Sequence, residues 1–418
     1  MVQKANIGRG KTKMDKMMRR RELPCVYGAR SLYRKQVARG AVLILAAFEN
    51  QGRSWVFGIL SVGKIKRTMP RWTVGLVFTK KKIERSGFIG IEDYAQGRNI
   101  RIVQMDLSRS LESQGPVDAI VHKMTDVVGK MRRGDAEAQV QCDRFMTFCE
   151  ENPHVIVLDR WENVEKVLDR VDVFDHLRPC IDTKDPLFKI PHYHTLESIK
   201  YITKLAEELS FPVICKRRSA CSSAEAHQMT LVPSRRHLTD MHDYNDSEAL
   251  VIQQFIQHDG VIVKVYVIDG QIHVSTRPSF MNVTEETGMV SFDSQKLPKQ
   301  FDPTLRTDSR YHVLSSDTNH MQRRKEEILD HDRLRRISSV VQDQLGLTFF
   351  GFDVLLESGT NDYYVVDVNY FPSKWIKMLD DQLLIALHTL GFKNVPLFQS
   401  MFIDILQERL TRCPPLPA

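Results

Sequence analysis

Apolar and polar positions alternate in two different rhythms along this chain. Short β-branched and aromatic runs at 72–78, 100–105, 119–122 and 155–159 read as strands. Between them lie stretches of helical period, clearest at 136–149. Strands alternating with helices predict a small parallel α/β domain over 71–178. On such sheets ligands bind beyond the carboxyl ends of the strands. Lys82, His122 and Lys123 fall at those positions. The plain reading of Lys80-Lys81-Lys82 is a solvated helix start.

A linking helix is expected at 164–177, then a Pro- and His-containing stretch at 186–194 and a helix at 196–209. From there the pattern changes to strands with few helices between them. Runs at 211–216, 228–232, 250–255, 261–268 and 271–276 predict strands, with Asp269-Gly270 as a tight turn. Residues 281–330 are polar and weakly periodic, so a surface excursion is expected. A helix at 333–345, a strand hairpin and two helices at 375–390 and 395–410 close the chain. The predicted class is α/β and α+β, with lobes at about 179–275 and 276–410 and a tail at 411–418. No internal repeat is visible.

The closing hairpin carries the sharpest chemistry. Gly351-Phe352-Asp353 and Val365-Val366-Asp367-Val368-Asn369 flank a polar turn at 357–362. Folding about Thr360 sets Asp353 opposite Asp367, and alternation along the strand puts Asp367 and Asn369 on one face. Like charges facing each other on a sheet are destabilising, and burying unpaired carboxylates costs more. A bound cation removes both penalties, and carboxylate and amide oxygens suit Mg²⁺. The alternative is that Asp353 pairs with a Lys or Arg and Asp367 merely ends a strand.

The 418 residues suffice for two or three domains, and 42% hydrophobic content is ordinary for a globular protein. The net charge of +7 misleads. Residues 1–70 hold 16 Lys/Arg against 3 Asp/Glu, whereas the remainder holds 43 against 49. The basicity belongs to an extension, expected to lack regular structure, and the body gives no argument for nucleic acid. Scarce acidic residues make the extension compatible with a mitochondrial targeting segment. Its longest apolar run, 41–48, is too short to span a bilayer. Seven cysteines without a Cys-x-x-Cys favour a reduced intracellular, cytoplasmic setting.

Lys216 ends one strand and Lys264 sits inside another. Lysines in apolar strands usually answer an anion. Two of them beside an oxygen-donor metal site describe a cradle for a nucleoside triphosphate, since phosphoryl transfer rests on positioning and charge neutralisation. No Gly-x-x-x-x-Gly-Lys-Ser/Thr occurs, nor the His-Arg-Asp and Asp-Phe-Gly pair of protein kinases.

Several stretches, in order and spacing, carry a resemblance: 77–83, 106–109, 114–126, Leu168-Asp169-Arg170, 211–216, 251–266, Arg277-Pro278-Ser279, Gly351-Phe352-Asp353 and 367–372. From about 71 to 410 the chain resembles the inositol-tetrakisphosphate 1-kinase family, also called inositol-1,3,4-trisphosphate 5/6-kinases. That resemblance implies an ATP-grasp fold with a Rossmann-like N-terminal domain. It implies ATP and inositol polyphosphates as substrates and two Mg²⁺ ions held by Asp353, Asp367 and Asn369. It assigns ATP contacts to Arg170, Lys216, Gln253, Gln254, Phe255, Ile256, Lys264 and Ser279. It assigns the inositol phosphate to Lys82, Lys123, His227, Lys264 and Asn369. Lys216, Lys264 and His227 would serve catalysis, and a monomer is expected.

The chain departs from the family pattern in the glycine-free loop 221–227, in Ser373 where a glycine is usual, and in a partial insertion at 375–394. Two rivals stay in view, the first motivated by the missing glycines and the second by the shared metal hairpin. One is a non-catalytic binder of inositol phosphate or nucleotide. The other is an ATP-grasp carboxylate–amine ligase, which has no evident use for Lys82 and Lys123. The extension supplies little periodic apolar surface. A chain beginning at Met69 should therefore fold and keep its activity; loss of soluble protein on that truncation would refute this.

Overall fold

The structure is a computed structural model that describes residues 31–38, 41–49, 55–64, 70–85, 88, 90–220, 225–241, 249–297, 318–371 and 397–412. The loop at 221–224, Ser373, the expected helix at 375–390 and the insertion lie outside the described residues. The chain divides into two units, Met1–Met69 and Pro70–Ala418.

In the first unit β1 (Ser31–Ala38), β2 (Ala41–Glu49) and β3 (Trp55–Lys64) form an antiparallel meander. The expectation of an extension without regular structure is corrected for these segments. Runs such as Ala-Val-Leu-Ile-Leu and Trp-Val-Phe-Gly-Ile-Leu are strand formers. Averaging them with the surrounding Lys and Arg hid the signal.

The second unit opens with four parallel strands in the order β5-β4-β6-β7. They are β4 (Trp72–Val77), β5 (Ile100–Gln104), β6 (Ala119–His122) and β7 (Ile156–Leu158). Helices α1 (Lys80–Arg85), α2 (Ile91–Gln96), α3 (Thr125–Arg132) and α4 (Ala136–Glu151) connect them. The strand order reverses between β4 and β6, which makes the carboxyl ends of those two strands the binding crevice of such a sheet. The chain leaves β4 towards Lys82 and β6 towards Lys123.

The linking helix is two helices, α5 (Trp161–Glu165) and α6 (Arg170–Ile181). Asp169 causes the break: its carboxylate accepts from the Val171 and Asp172 amides and caps a new helix. Beyond it, β8 (Tyr193–Leu196), β9 (Val213–Arg217), β10 (Gln228–Val232), β11 (Leu250–Gln254), β12 (Val261–Ile268), β13 (Gln271–Pro278) and β14 (Val290–Asp293) follow. Helices α7 (Thr318–Ile328) and α8 (His331–Leu345) lead to β15 (Phe349–Leu356) and β16 (Tyr363–Tyr370), and α9 (Leu397–Arg412) closes the unit. One antiparallel sheet runs β14-β10-β9-β11-β8 and another β13-β12-β15-β16. The long helix expected at 196–209 is absent. Leu196 instead ends β8, paired with Leu250, and only short turns at Ile199–Tyr201 and Ile202–Leu205 follow. The surface excursion contains β14 and α7.

A buried polar knot ties the parallel domain to the last sheet. The Tyr370 hydroxyl accepts from the Asp159 amide at 3.0 Å and donates to His122 O at 3.0 Å. One Asp159 carboxylate oxygen accepts from the Thr348 and Phe349 amides at 2.8 and 3.1 Å. His122 donates from Nε2 to Asp159 O at 2.6 Å, so its Nδ1 carries no proton. Burial pushes His122 down to about 4 and raises both Asp159 and Tyr370. Around this knot Phe78, Phe88, Phe349, Phe371 and Phe402 pack edge to face and tilted. Tyr370→Phe would leave the Asp159 N–H and the His122 carbonyl buried without this partner. That should cost about 1–3 kcal/mol, read from urea unfolding; unchanged stability would show the knot to be slack.

Candidate functional site

The two antiparallel sheets and the carboxyl ends of β4 and β6 enclose a cavity of about 780 Å³. Lys82, Lys123, Lys216, His227, Gln253, Gln254, Phe255, Ile256, Lys264, Ser279, Asp353, Asp367 and Asn369 all line it. Of the residues expected from the sequence, Arg170 and His122 lie off its wall, His122 being buried in the knot with Asp159.

On the last sheet three charged residues stand in a row across adjacent strands. Lys264 on β12 pairs with Asp353 on β15, and Asp353 pairs with Asp367 on β16. Lys264 Nζ grips both Asp353 oxygens, at 2.7 and 2.5 Å. The alternative raised for Asp353, a lysine partner, is thus realised in this structure. Asn369 donates to Asp367 at 2.7 Å, which leaves its amide oxygen uncommitted in that bond. The pairing slips by one residue between Asp353 and Val354, so a bulge adjoins the acidic pair. Burial, and next to it the opposing Asp367, raise the Asp353 carboxyl against the pull of Lys264. Among the described residues no cluster of three or more His, Cys, Asp or Glu gathers for a metal. Two carboxylates and an amide nevertheless supply the hard oxygens Mg²⁺ takes when substrate phosphates complete its shell.

On the facing sheet Lys216 is buried at the end of β9 and donates to Gln253 Oε1 across the β9–β11 ladder. Burial lowers the Lys216 ammonium to about 8, with the nearby Arg170 guanidinium adding to the effect. Gln253 Nε2 is buried and has no hydrogen-bond partner among the described residues. A stranded amide donor in a cavity wall is a position for an acceptor on a ligand. Arg170, at the start of α6, spends its guanidinium on the carbonyls of Arg217, Ser219 and Ala226. It holds the strand that carries Lys216 and does not itself reach the cavity.

The parallel domain supplies the opposite wall. Lys82 pairs with Asp126 at 3.3 Å. Lys123 donates to the carbonyls of Tyr370 and Phe371, at the end of the acidic strand. His227 lies within 2.7 Å of Gln295. The Ser279 hydroxyl donates to His258 Nε2 at 2.8 Å, because His258 uses its Nδ1 proton on Ile256 O at 2.6 Å. His258 is buried and lowered to about 4, so it stays neutral. Sequence reasoning gave no site role to Asp126, Lys130, His258, Tyr266 or Arg277, which also line the cavity. The spacing Lys123-x-x-Asp126-x-x-x-Lys130 on a strand-to-helix turn was the available signal for two of them.

Residues 73–164 match the inositol 1,3,4-trisphosphate 5/6-kinase pre-ATP-grasp domain, and residues 188–384 match the inositol 1,3,4-trisphosphate 5/6-kinase ATP-grasp domain. The chain belongs to the inositol 1,3,4-trisphosphate 5/6-kinase family. Inositol-tetrakisphosphate 1-kinase of Xenopus laevis is 29% identical over 347 residues, covering 81% of this chain and 78% of the relative. The Danio rerio protein of the same name is 26% identical over 309 residues, covering 72% and 74%. Inositol-tetrakisphosphate 1-kinase 1 of Arabidopsis thaliana is 28% identical over 311 residues, covering 72% and 90%. In this 5/6-kinase family member the two antiparallel sheets are the clasping lobes of an ATP-grasp fold, and the parallel domain is the pre-ATP-grasp domain. No helix among the described residues is long and apolar enough to cross a membrane.

The buried Lys216 sets a pH dependence. Below about pH 8 the native site holds a proton it disfavours, and the penalty is full. Between about 8 and the ordinary 10.5 the unfolded chain binds more protons than the native one, so stability from this group rises with pH. The difference in unfolding free energy between wild type and Lys216→Met should shift toward wild type across that window. A flat difference would mean that Lys216 titrates at its ordinary value.

Proposed function

We propose that this protein is an ATP- and Mg²⁺-dependent inositol polyphosphate kinase that phosphorylates a free ring hydroxyl of an inositol tris- or tetrakisphosphate. The observation that carries the reading is the convergence of Lys216, Lys264, the facing Asp353 and Asp367, and the N-terminal lysines on one cavity. The apolar end of that cavity, with Phe255 and Ile256 after β11, suits the adenine. Gln253 and Ser279 offer polar contacts to the nucleotide. The polyphosphorylated ring belongs between the Lys82–Lys123 wall and Asn369, with His227 at its edge.

Asp353, Asp367 and Asn369 would hold Mg²⁺, which neutralises charge on the phosphates and orients them when bound. Lys216 enters the reaction poorly solvated, so an arriving phosphate restores its favoured charged form. Lys264 serves as counter-ion to Asp353 in this structure and lies beside the position the phosphates must take. Both ammonium groups then stabilise charge on the transferring phosphoryl group as the ring oxygen attacks in line. His227 accepts the hydroxyl proton or binds a ring phosphate; a bell-shaped pH–rate profile that loses one limb in His227→Gln would assign the former.

Purified protein given ATP, Mg²⁺ and inositol tris- and tetrakisphosphates should transfer phosphate. Binding without transfer would identify a non-catalytic binder, and ATP turnover dependent on an amine would identify a ligase. Asp367→Asn should abolish transfer while leaving the fold. Removing one of two facing carboxylates relieves repulsion, so the melting temperature without ligand should hold or rise while the increment from Mg-ATP shrinks. A variant that melts lower alone yet gains the full increment would remove Asp367 from the metal site.

A further inference from the structure

The cavity wall contributed by the parallel domain carries three lysines, and two of them are already engaged by the protein. Lys82 faces the Asp126 carboxylate, and Lys123 is held by the Tyr370 and Phe371 carbonyls. Elsewhere on the wall Lys216 is bonded to Gln253, Lys264 to Asp353 and Arg277 to the Tyr266 hydroxyl. Lys130 is different. Its side chain lines the same cavity, is exposed, and has no hydrogen-bond or ion-pair partner among the described residues.

Its position follows from the helix. Lys130 lies four residues after Asp126 on α3, and positions four apart share a face. It therefore stands one turn beyond the carboxylate that holds Lys82. The Asp126 charge is spent on Lys82, and no other carboxylate lies within ion-pair distance of Lys130 among the described residues. The Lys82–Asp126 pair is locally neutral and Lys123 is bonded to two carbonyls, so Lys130 is the charge on this part of the wall with no polar partner among the described residues. A charge left unpaired beside a cavity attracts an anion, and a flexible lysine binds phosphate as a point charge.

We propose that Lys130 is a specificity-determining residue that contacts one further phosphate of the inositol polyphosphate and grades substrates by their phosphate count. This rests on the functional reading above. Lys82 and Lys123 give up existing partners when they bind phosphate, whereas Lys130 gives up only water. Its contribution is felt by a substrate with a phosphate at that end of the ring and is absent for one without. The other role open to Lys130 is that of a solvated cation in the last turn of α3, which would be indifferent to ligand.

Calorimetric titration of the full chain with inositol tris-, tetrakis- and pentakisphosphates, without ATP, separates these roles. Lys130→Gln should weaken the more highly phosphorylated ligands roughly five- to tenfold and the trisphosphate less, with ATP affinity unchanged. Lys130→Arg should restore most of the loss, and the loss should shrink in high salt. Thermal melts of both variants should match wild type, since the side chain is exposed and makes no hydrogen bond or ion pair among the described residues. Wild type and Lys130→Gln binding every inositol phosphate equally would overturn the proposal, as would an equal loss for ATP or for all phosphate counts. A wild-type protein that binds no inositol polyphosphate would overturn the functional reading first and this proposal with it. Binding without phosphate transfer would sink the kinase reading alone.

Discussion

Two carboxylates facing each other across a half-buried strand pair are unstable without positive charge nearby, and this fold is arranged to supply it. Lys264 is the lateral neighbour of Asp353 on one side as Asp367 is on the other, so a single transverse line of the sheet reads plus, minus, minus. One ammonium cannot compensate two carboxylates. The residual negative charge is what gives the site an affinity for further cations. The facing sheet answers with Lys216, which is held charged at a cost that an anionic ligand repays. Each sheet is thus electrostatically incomplete alone, and on the proposed reading a metal–polyphosphate complex would complete both.

The parallel domain has to stand at a fixed distance from that line for a second substrate to meet the first. Tyr370 follows Asn369 directly, and its hydroxyl is locked into the ends of β6 and β7. Lys123 reaches back to the carbonyls of Tyr370 and Phe371. The acidic strand and the basic wall are therefore joined at a residue adjoining both. Arg170 performs the equivalent task for β9, likewise through backbone carbonyls.

Local pattern made the strands legible, and register made the acidic pair legible. Folding the hairpin about Thr360 sets Asp353 against Asp367, and β6, β10 and β12 fall where periodicity puts them. What stayed hidden depends on partners distant in the chain. Nothing near residue 264 reveals that its ammonium will meet Asp353, and nothing near 370 reveals a hydroxyl bonded to residues 122 and 159. Strand β8 was hidden for the same reason: Tyr193–Leu196 is too short and mixed to announce itself, and becomes a strand only because β11 offers an edge. The break before α6 was written locally, in Asp169 followed by Arg170, but a cap and a mid-helix Asp look alike until the carboxylate is seen turned onto the amides. Lys130 does not stand out locally, because a lysine in the last turn of a helix is ordinarily solvated.

The bulge beside Asp353 divides the hairpin into two independently registered halves. On the side of the turn, Val354 pairs with Val365 and Leu356 with Tyr363; on the other, Asp353 pairs with Asp367 and Gly351 with Asn369. The extra residue between them, Val366, acts as a mechanical expansion joint. A length change at the exposed tip, between Gly359 and Asn361, is taken up before it reaches the joint. The tip is therefore a place where this chain can carry an insertion or a spectroscopic label one strand-length from its chemistry, with the acidic pair still in line.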